Sequence, residues 1–108
     1  HPDAKMGKDG NRTLSGLYDL ITPVNKRDNG IDQWNRATII VNGDKVQHWL
    51  NGYKTVEYVR GSDTWFELVA ESKYRNYDGF GMTKDTRILL QDHYNLVRFK
   101  NIKIREIK

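Results

Sequence analysis

Two Asn-Gly pairs, Asn42-Gly43 and Asn51-Gly52, cut the stretch WNRATIIVNGDKVQHWLNGYKTVEYV (Trp34 to Val59) into three runs rich in β-branched and aromatic residues. Asn-Gly tolerates the positive φ angles at the centre of a tight hairpin, so an antiparallel meander is predicted here. Alternation then sorts the side chains: Val46, His48 and Leu50 share one face of the second strand, and Gln47, Trp49 and Asn51 the other. In the first strand Ala37, Ile39 and Val41 oppose Thr38 and Ile40. The Asn-Gly residues themselves are read purely as turn formers. His48, between Val46 and Leu50, reads as a core histidine or one that braces its neighbours, and Trp34 and Trp49 as packed between layers.

The flanks carry weaker signals. Residues 1 to 13, HPDAKMGKDGNRT, are polar with no apolar period and read as loop, after which LSGLYDLI (Leu14 to Ile21) is expected to form a strand ending at Thr22-Pro23. SDTWFELVAESKY (Ser62 to Tyr74) changes period, with Trp65, Leu68, Val69 and Ser72 at helical spacing and Ser62 or Asp63 available as a cap, which predicts one short amphipathic helix covering a sheet edge. TRILLQDH and VRFKNIKIREIK are expected as the last two strands. In the final run Val97 and Phe99 fall out of phase with Ile102 and Ile104, so an irregularity is predicted near Lys100-Asn101.

Composition narrows the function classes. With 37% hydrophobic and 11% aromatic residues, 108 residues suffice for one modest core, and no apolar run is long enough to span a bilayer. Eighteen Lys and Arg against fourteen Asp and Glu give +4, but the basic residues are interspersed with acidic ones, which favours a solvated surface over a nucleic-acid footprint. The absence of cysteine excludes disulfides, thiolate metal sites and a Cys nucleophile. The chain opens on His1 and not on Met, and upstream sequence is expected to precede it.

The predicted architecture is all-β with one short helix and about six strands, most simply part of a two-sheet sandwich. Six strands divided between two sheets would leave hydrogen-bonding edges bare, so residues 1–108 are expected to be a single domain that is part of a larger sandwich.

GLYDL (Gly16 to Leu20), WNRATIIVNGDKVQHWLNG (Trp34 to Gly52) and LLQDH...VRFKNIKIRE (Leu89 to Glu106) resemble the 3-keto-disaccharide hydrolase family. The resemblance implies a concanavalin A-like jelly roll, a secreted or periplasmic location, and cleavage of glycosidic bonds in sugars oxidised to a ketone at carbon 3. The family domain also has an N-terminal half, with a Trp-rich opening and an N-S-G loop, that does not precede His1 here. The chain thus corresponds to the C-terminal half, and a missing N-terminal half or self-association is expected to complete it.

Gln91 and His93 alternate with Asp92, so on a strand they project from one face. An amide and an imidazole so placed suit a sugar: Gln91 can donate to one hydroxyl and accept from another, and His93 can give or take a proton near neutral pH. The plainer alternative is that both hold the strand end through hydrogen bonds to neighbouring loops. Under the resemblance, a ketone at carbon 3 acidifies the carbon 2 proton, and the bond at carbon 1 can break by elimination followed by hydration; a base and an oxyanion stabiliser replace paired carboxylates. His93 and Tyr18 are the catalytic candidates; Gln91, His1 and Asp3 are the substrate-binding ones. For Tyr18 the alternative is a half-buried aromatic with its hydroxyl on a backbone carbonyl. A divalent metal could stabilise the enolate, and His1, Asp3, Asp92 and His93 include suitable ligand types, but no HxxxH or HxH spacing supports one. The rival function is a non-catalytic carbohydrate-binding or lectin-like module; a third is an interaction module pairing through open strand edges.

Overall fold

The computed structural model describes residues 6–91 and 96–107. At its centre is an antiparallel sheet in the order β1-β2-β3, formed by Ala37–Asn42 (β1), Lys45–Leu50 (β2) and Tyr53–Val59 (β3). The β1–β2 register runs from Ala37 opposite Leu50 to Asn42 opposite Lys45, so the first loop is Gly43-Asp44, with Gly43 at φ 61°. In the second loop Asn51 and Gly52 both take positive φ, 50° and 86°, the signature of a type I′ hairpin.

Asn51 does more than turn. Its side-chain oxygen accepts from the Arg36 N–H at 2.8 Å and its amide donates to the Arg27 carbonyl at 2.7 Å and to Asn35 Oδ1 at 2.9 Å. The reading of Asn51 as a turn former alone is therefore corrected: an amide two atoms from the hairpin backbone reaches the loop before β1 and ties it to the hairpin.

Pairing of β2 with β3 shifts register between His48 and Trp49: His48 faces Val56 but Trp49 faces Lys54, leaving Thr55 as an extra residue. This bulge explains why two successive β3 residues, Thr55 and Val56, are both buried where strict alternation allows one. The Thr55 carbonyl accepts from the Val24 N–H at 2.9 Å, which moors the preceding loop to the bulge.

Helix α1, Asp63–Ala70, follows the meander. Ser62 is its N-cap, with Oγ accepting from the Trp65 N–H at 3.2 Å. Trp65, 3% exposed, stacks on Tyr58 of β3 at 5.4 Å between centroids and on Phe80 at 6.3 Å, and Phe80 stacks on Tyr74 at 4.2 Å. The helix thus covers the β3 side of the sheet. Leu20, Val46, Leu50, Val56 and Trp65 form the buried apolar core.

Other segments depart from expectation. Leu14–Ile21 is not a strand; Leu17 and Ile21 exchange backbone hydrogen bonds of 3.1 and 2.9 Å across an isolated bridge, with Ser15 and Asp19 at positive φ. The segment folds back on itself because left-handed residues interrupt any extended run. The described parts of the two closing runs, 86–91 and 96–107, form no strand. A period-two pattern says that a segment suits a pleated, half-buried surface, but a strand also needs a neighbour's N–H and C=O groups. None stands alongside these runs among the described residues. Their apolar side chains are accordingly exposed, Leu89, Leu96 and Ile104 among them. The predicted phase break near Lys100-Asn101 does coincide with a backbone feature, Asn101 at φ 55°. The architecture is sheet plus one short helix, consistent with an all-β chain.

Candidate functional site

Of the sequence candidates, the described residues place Tyr18 and Gln91. His93, His1 and Asp3 lie outside the described residues, as does Asp92, so the four side chains offered to a divalent cation are not placed. Among the described residues no group of three His, Asp or Glu side chains is gathered closely enough to hold a metal ion. Gln91 is exposed at the end of a described run, and no hydrogen bond among the described residues joins it to Tyr18.

Tyr18 sits in the Leu17–Ile21 reversal, half-exposed, with cations over its ring: Lys73 Nζ 4.7 Å and the Arg12 guanidinium 5.6 Å from the centroid. The neighbouring Asp19 holds this corner together. Its Oδ2 accepts from the Lys73 backbone N–H at 2.8 Å, and its Oδ1 pairs with Arg12 Nε at 2.6 Å. The Lys73 hydrogen bond first, and the Arg12 contact with it, hold the Asp19 carboxyl below the usual carboxylate range. Tyr18 therefore presents its ring to solvent from a corner fixed by charge-assisted bonds, not from a strand.

The described residues build a second constellation around His48. The imidazole projects from the sheet face that carries Val46 and Leu50, but those two are buried and His48 is only partly so. On one side Tyr58 meets it edge-on at 5.6 Å between ring centroids. On the other, directly across β1 in register, Ile39 is 66% exposed. The covering layer of loop and helix ends at β2, and His48 stands at its border.

The Ser15 carbonyl organises this border. It accepts from Thr55 Oγ1 at 3.0 Å and faces His48 Nδ1 at a longer 3.4 Å, while the Ser15 and Thr55 hydroxyls are 2.7 Å apart. A carbonyl can only accept, so the Nδ1 that faces it carries the proton in the neutral ring, and the lone pair falls on Nε2. Burial pulls the His48 pKa below its ordinary 6.5, with the Ser15 and Gly16 backbone opposing in part. Glycine suits position 16, where a Cβ would lie a tight 3.0 Å from both the Ile21 carbonyl and the Pro23 ring.

The expectation for His48 is therefore modified: it is on the core face, as alternation requires, but is not enclosed by it. Trp34 is likewise not packed between layers; its ring is half-exposed, with Lys100 Nζ 4.1 Å from the centroid. Trp49 lies on the opposite, polar face and donates from Nε1 to Gln47 Oε1 at 3.0 Å. Ser15 and Thr55 escaped sequence reasoning, since a single-residue bulge and a left-handed serine leave no period to detect.

The resemblance noted from the sequence is matched by known proteins. The model of the 3-keto-alpha-glucoside-1,2-lyase-like domain matches residues 1–105. A 3-keto-disaccharide hydrolase of Bacteroides thetaiotaomicron is 33% identical over 122 aligned positions, covering 97% of this chain and 40% of that protein. A crystal structure described as a "putative glycosyl hydrolase" from Parabacteroides distasonis superposes with a TM-score of 0.58 and 25% identity, covering 62% of this chain and 31% of that one. The chain spans less than half the length of either relative. With the family model matched from His1 to Arg105, this chain belongs to the 3-keto-alpha-glucoside-1,2-lyase-like family.

Proposed function

We propose that this chain acts in the cleavage of 3-keto-glycosides, by elimination across carbons 1 and 2 and hydration of the resulting enone. The observation that carries the reading is the family match over residues 1–105, whose description as 1,2-lyase-like names the elimination half of this chemistry. The name of the Bacteroides relative, a 3-keto-disaccharide hydrolase, fits the net reaction. In this reading His93 and Tyr18 exchange protons with the sugar and Gln91 binds its hydroxyls, with His1 and Asp3 as further substrate contacts. The fold is that of a concanavalin A-like jelly roll of which residues 1–108 form one part, in a periplasmic or secreted protein. The exposed apolar runs at 86–91 and 96–107 support the larger sandwich, since their side chains lack the covering layer that a sandwich supplies.

The test is to supply a 3-keto-glucoside to the full-length protein and follow release of free 3-keto-glucose. Release is expected, and His93→Ala is expected to abolish it; unchanged turnover in that variant removes His93 from the mechanism. The half-exposed Trp34 ring favours a second reading, non-catalytic sugar binding by aromatic stacking. Saturable binding of the 3-keto-glucoside with no product would select it.

A further inference from the structure

We infer that His48 is a second proton-transfer group for the reaction proposed above, with Nε2 as the base that removes the carbon 2 proton of a 3-keto-glycoside. This rests on the proposed reaction and adds a residue to it. Four observations carry the assignment.

The ring lies at the limit of the core, with Tyr58 on its closed side and the exposed Ile39 across β1 on its open side, so a ligand can approach it over an apolar sheet face. The Ser15 carbonyl, 3.4 Å from Nδ1, favours the tautomer protonated there, which leaves Nε2 as the acceptor. Beside it stand the half-buried Tyr58 ring and the Ser15 carbonyl, the latter held in place by the buried Thr55 hydroxyl. The backbone beneath it is specialised: a β-bulge at Thr55 turns that hydroxyl to the Ser15 carbonyl, and Ser15 itself is held at φ 67°. Such bulges re-aim side chains next to active sites. A histidine serving only the core would be enclosed like its neighbours Val46 and Leu50; this one is only partly buried, with the Ser15 carbonyl 3.4 Å from Nδ1. Burial adds to the case, since a ring kept neutral near pH 7 is ready to accept a proton.

In the step itself, Nε2 takes the carbon 2 proton and the C–H electron pair becomes the carbon 1–carbon 2 double bond. The carbon 1–oxygen bond breaks, and the departing oxygen takes a proton from water. The hydroxide left by that water adds to carbon 1 of the enone, and carbon 2 regains a proton from the imidazolium.

The experiment is a titration of the ¹⁵N-labelled chain with methyl 3-keto-α-glucoside, reading the ring nitrogens of its three histidines, alongside turnover by the full-length protein and by its His48→Gln variant. Saturable movement of the His48 Nε2 resonance is expected, with kcat lowered by about 10²- to 10⁴-fold in His48→Gln. If the full-length protein turns over the glycoside and a folded His48→Gln matches it, the assignment is overturned while the proposed function stands. Should the full-length protein show no turnover, the proposed function fails, and the titration alone decides His48: a saturable Nε2 shift upholds it as a ligand-contacting group, and a silent ring overturns it. Where His48→Gln does not fold, the titration of the native chain decides between the same two outcomes.

Discussion

His48 shows how one side chain can be half legible. Its place on the core face follows from alternation with Val46 and Leu50, whereas its exposure depends on how far the loop and helix reach across the sheet. The same burial has a measurable consequence for stability. Because the folded-state pKa lies below the ordinary 6.5, the unfolded chain binds a proton more readily than the folded one. The contribution of His48 to stability is therefore fully present above pH 6.5 and is lost as pH falls through the folded value. Denaturant unfolding at about pH 7.5 and about pH 5.5 should show the native chain losing stability on acidification, and His48→Gln losing less. Asp19 and Glu57 also have lowered pKa values, but their ordinary values are 3.8 and 4.5, so their loss falls in more acidic solution. For Glu57 the first cause is its hydrogen bond from Lys54 Nζ.

Elements divide by the range of the interactions that form them. The hairpins and α1 form where predicted, and the helix even selects Ser62 over Asp63 as its cap. Ser62→Ala removes the acceptor of the Trp65 N–H and should cost about 1 kcal/mol, measured by denaturant titration, with Ser62→Asp retaining most of it. If alanine is neutral there, the cap is not holding α1 to the sheet. The runs at 86–91 and 96–107 are the counter-case. They have strand composition, and the second has its irregularity at Asn101 where the phases break, yet neither is paired. Sequence pattern records suitability for a sheet and not the presence of a neighbour.

At the scale of the whole molecule, apolar surface is the dominant fact. The chain exposes 9300 Å², against about 6,200 Å² for a compact monomer of this size. The excess accompanies a core of Leu20, Val46, Leu50, Val56 and Trp65, with Ile39 and Val41 uncovered on the sheet and a series of apolar residues uncovered beyond it. Trypsin supplied to the chain alone should cut first at Lys84, Arg87, Arg98, Lys100, Lys103 and Arg105, well before Lys45 and Lys54 of the paired strands. Simultaneous loss of both groups would mean that the sheet has no stability of its own. Most of the secondary structure around the central meander was legible, and so was the family. The Ser15–Thr55–His48 cluster was not, because it joins residues 40 and 33 positions apart. The sequence by itself determined the turns, the helix and its cap, since these depend on φ preferences and hydrogen bonds between residues a few positions apart. Only the tertiary structure decided which of the described apolar runs became strands and that His48 stands at the edge of the core, because pairing and burial depend on groups brought from distant parts of the chain.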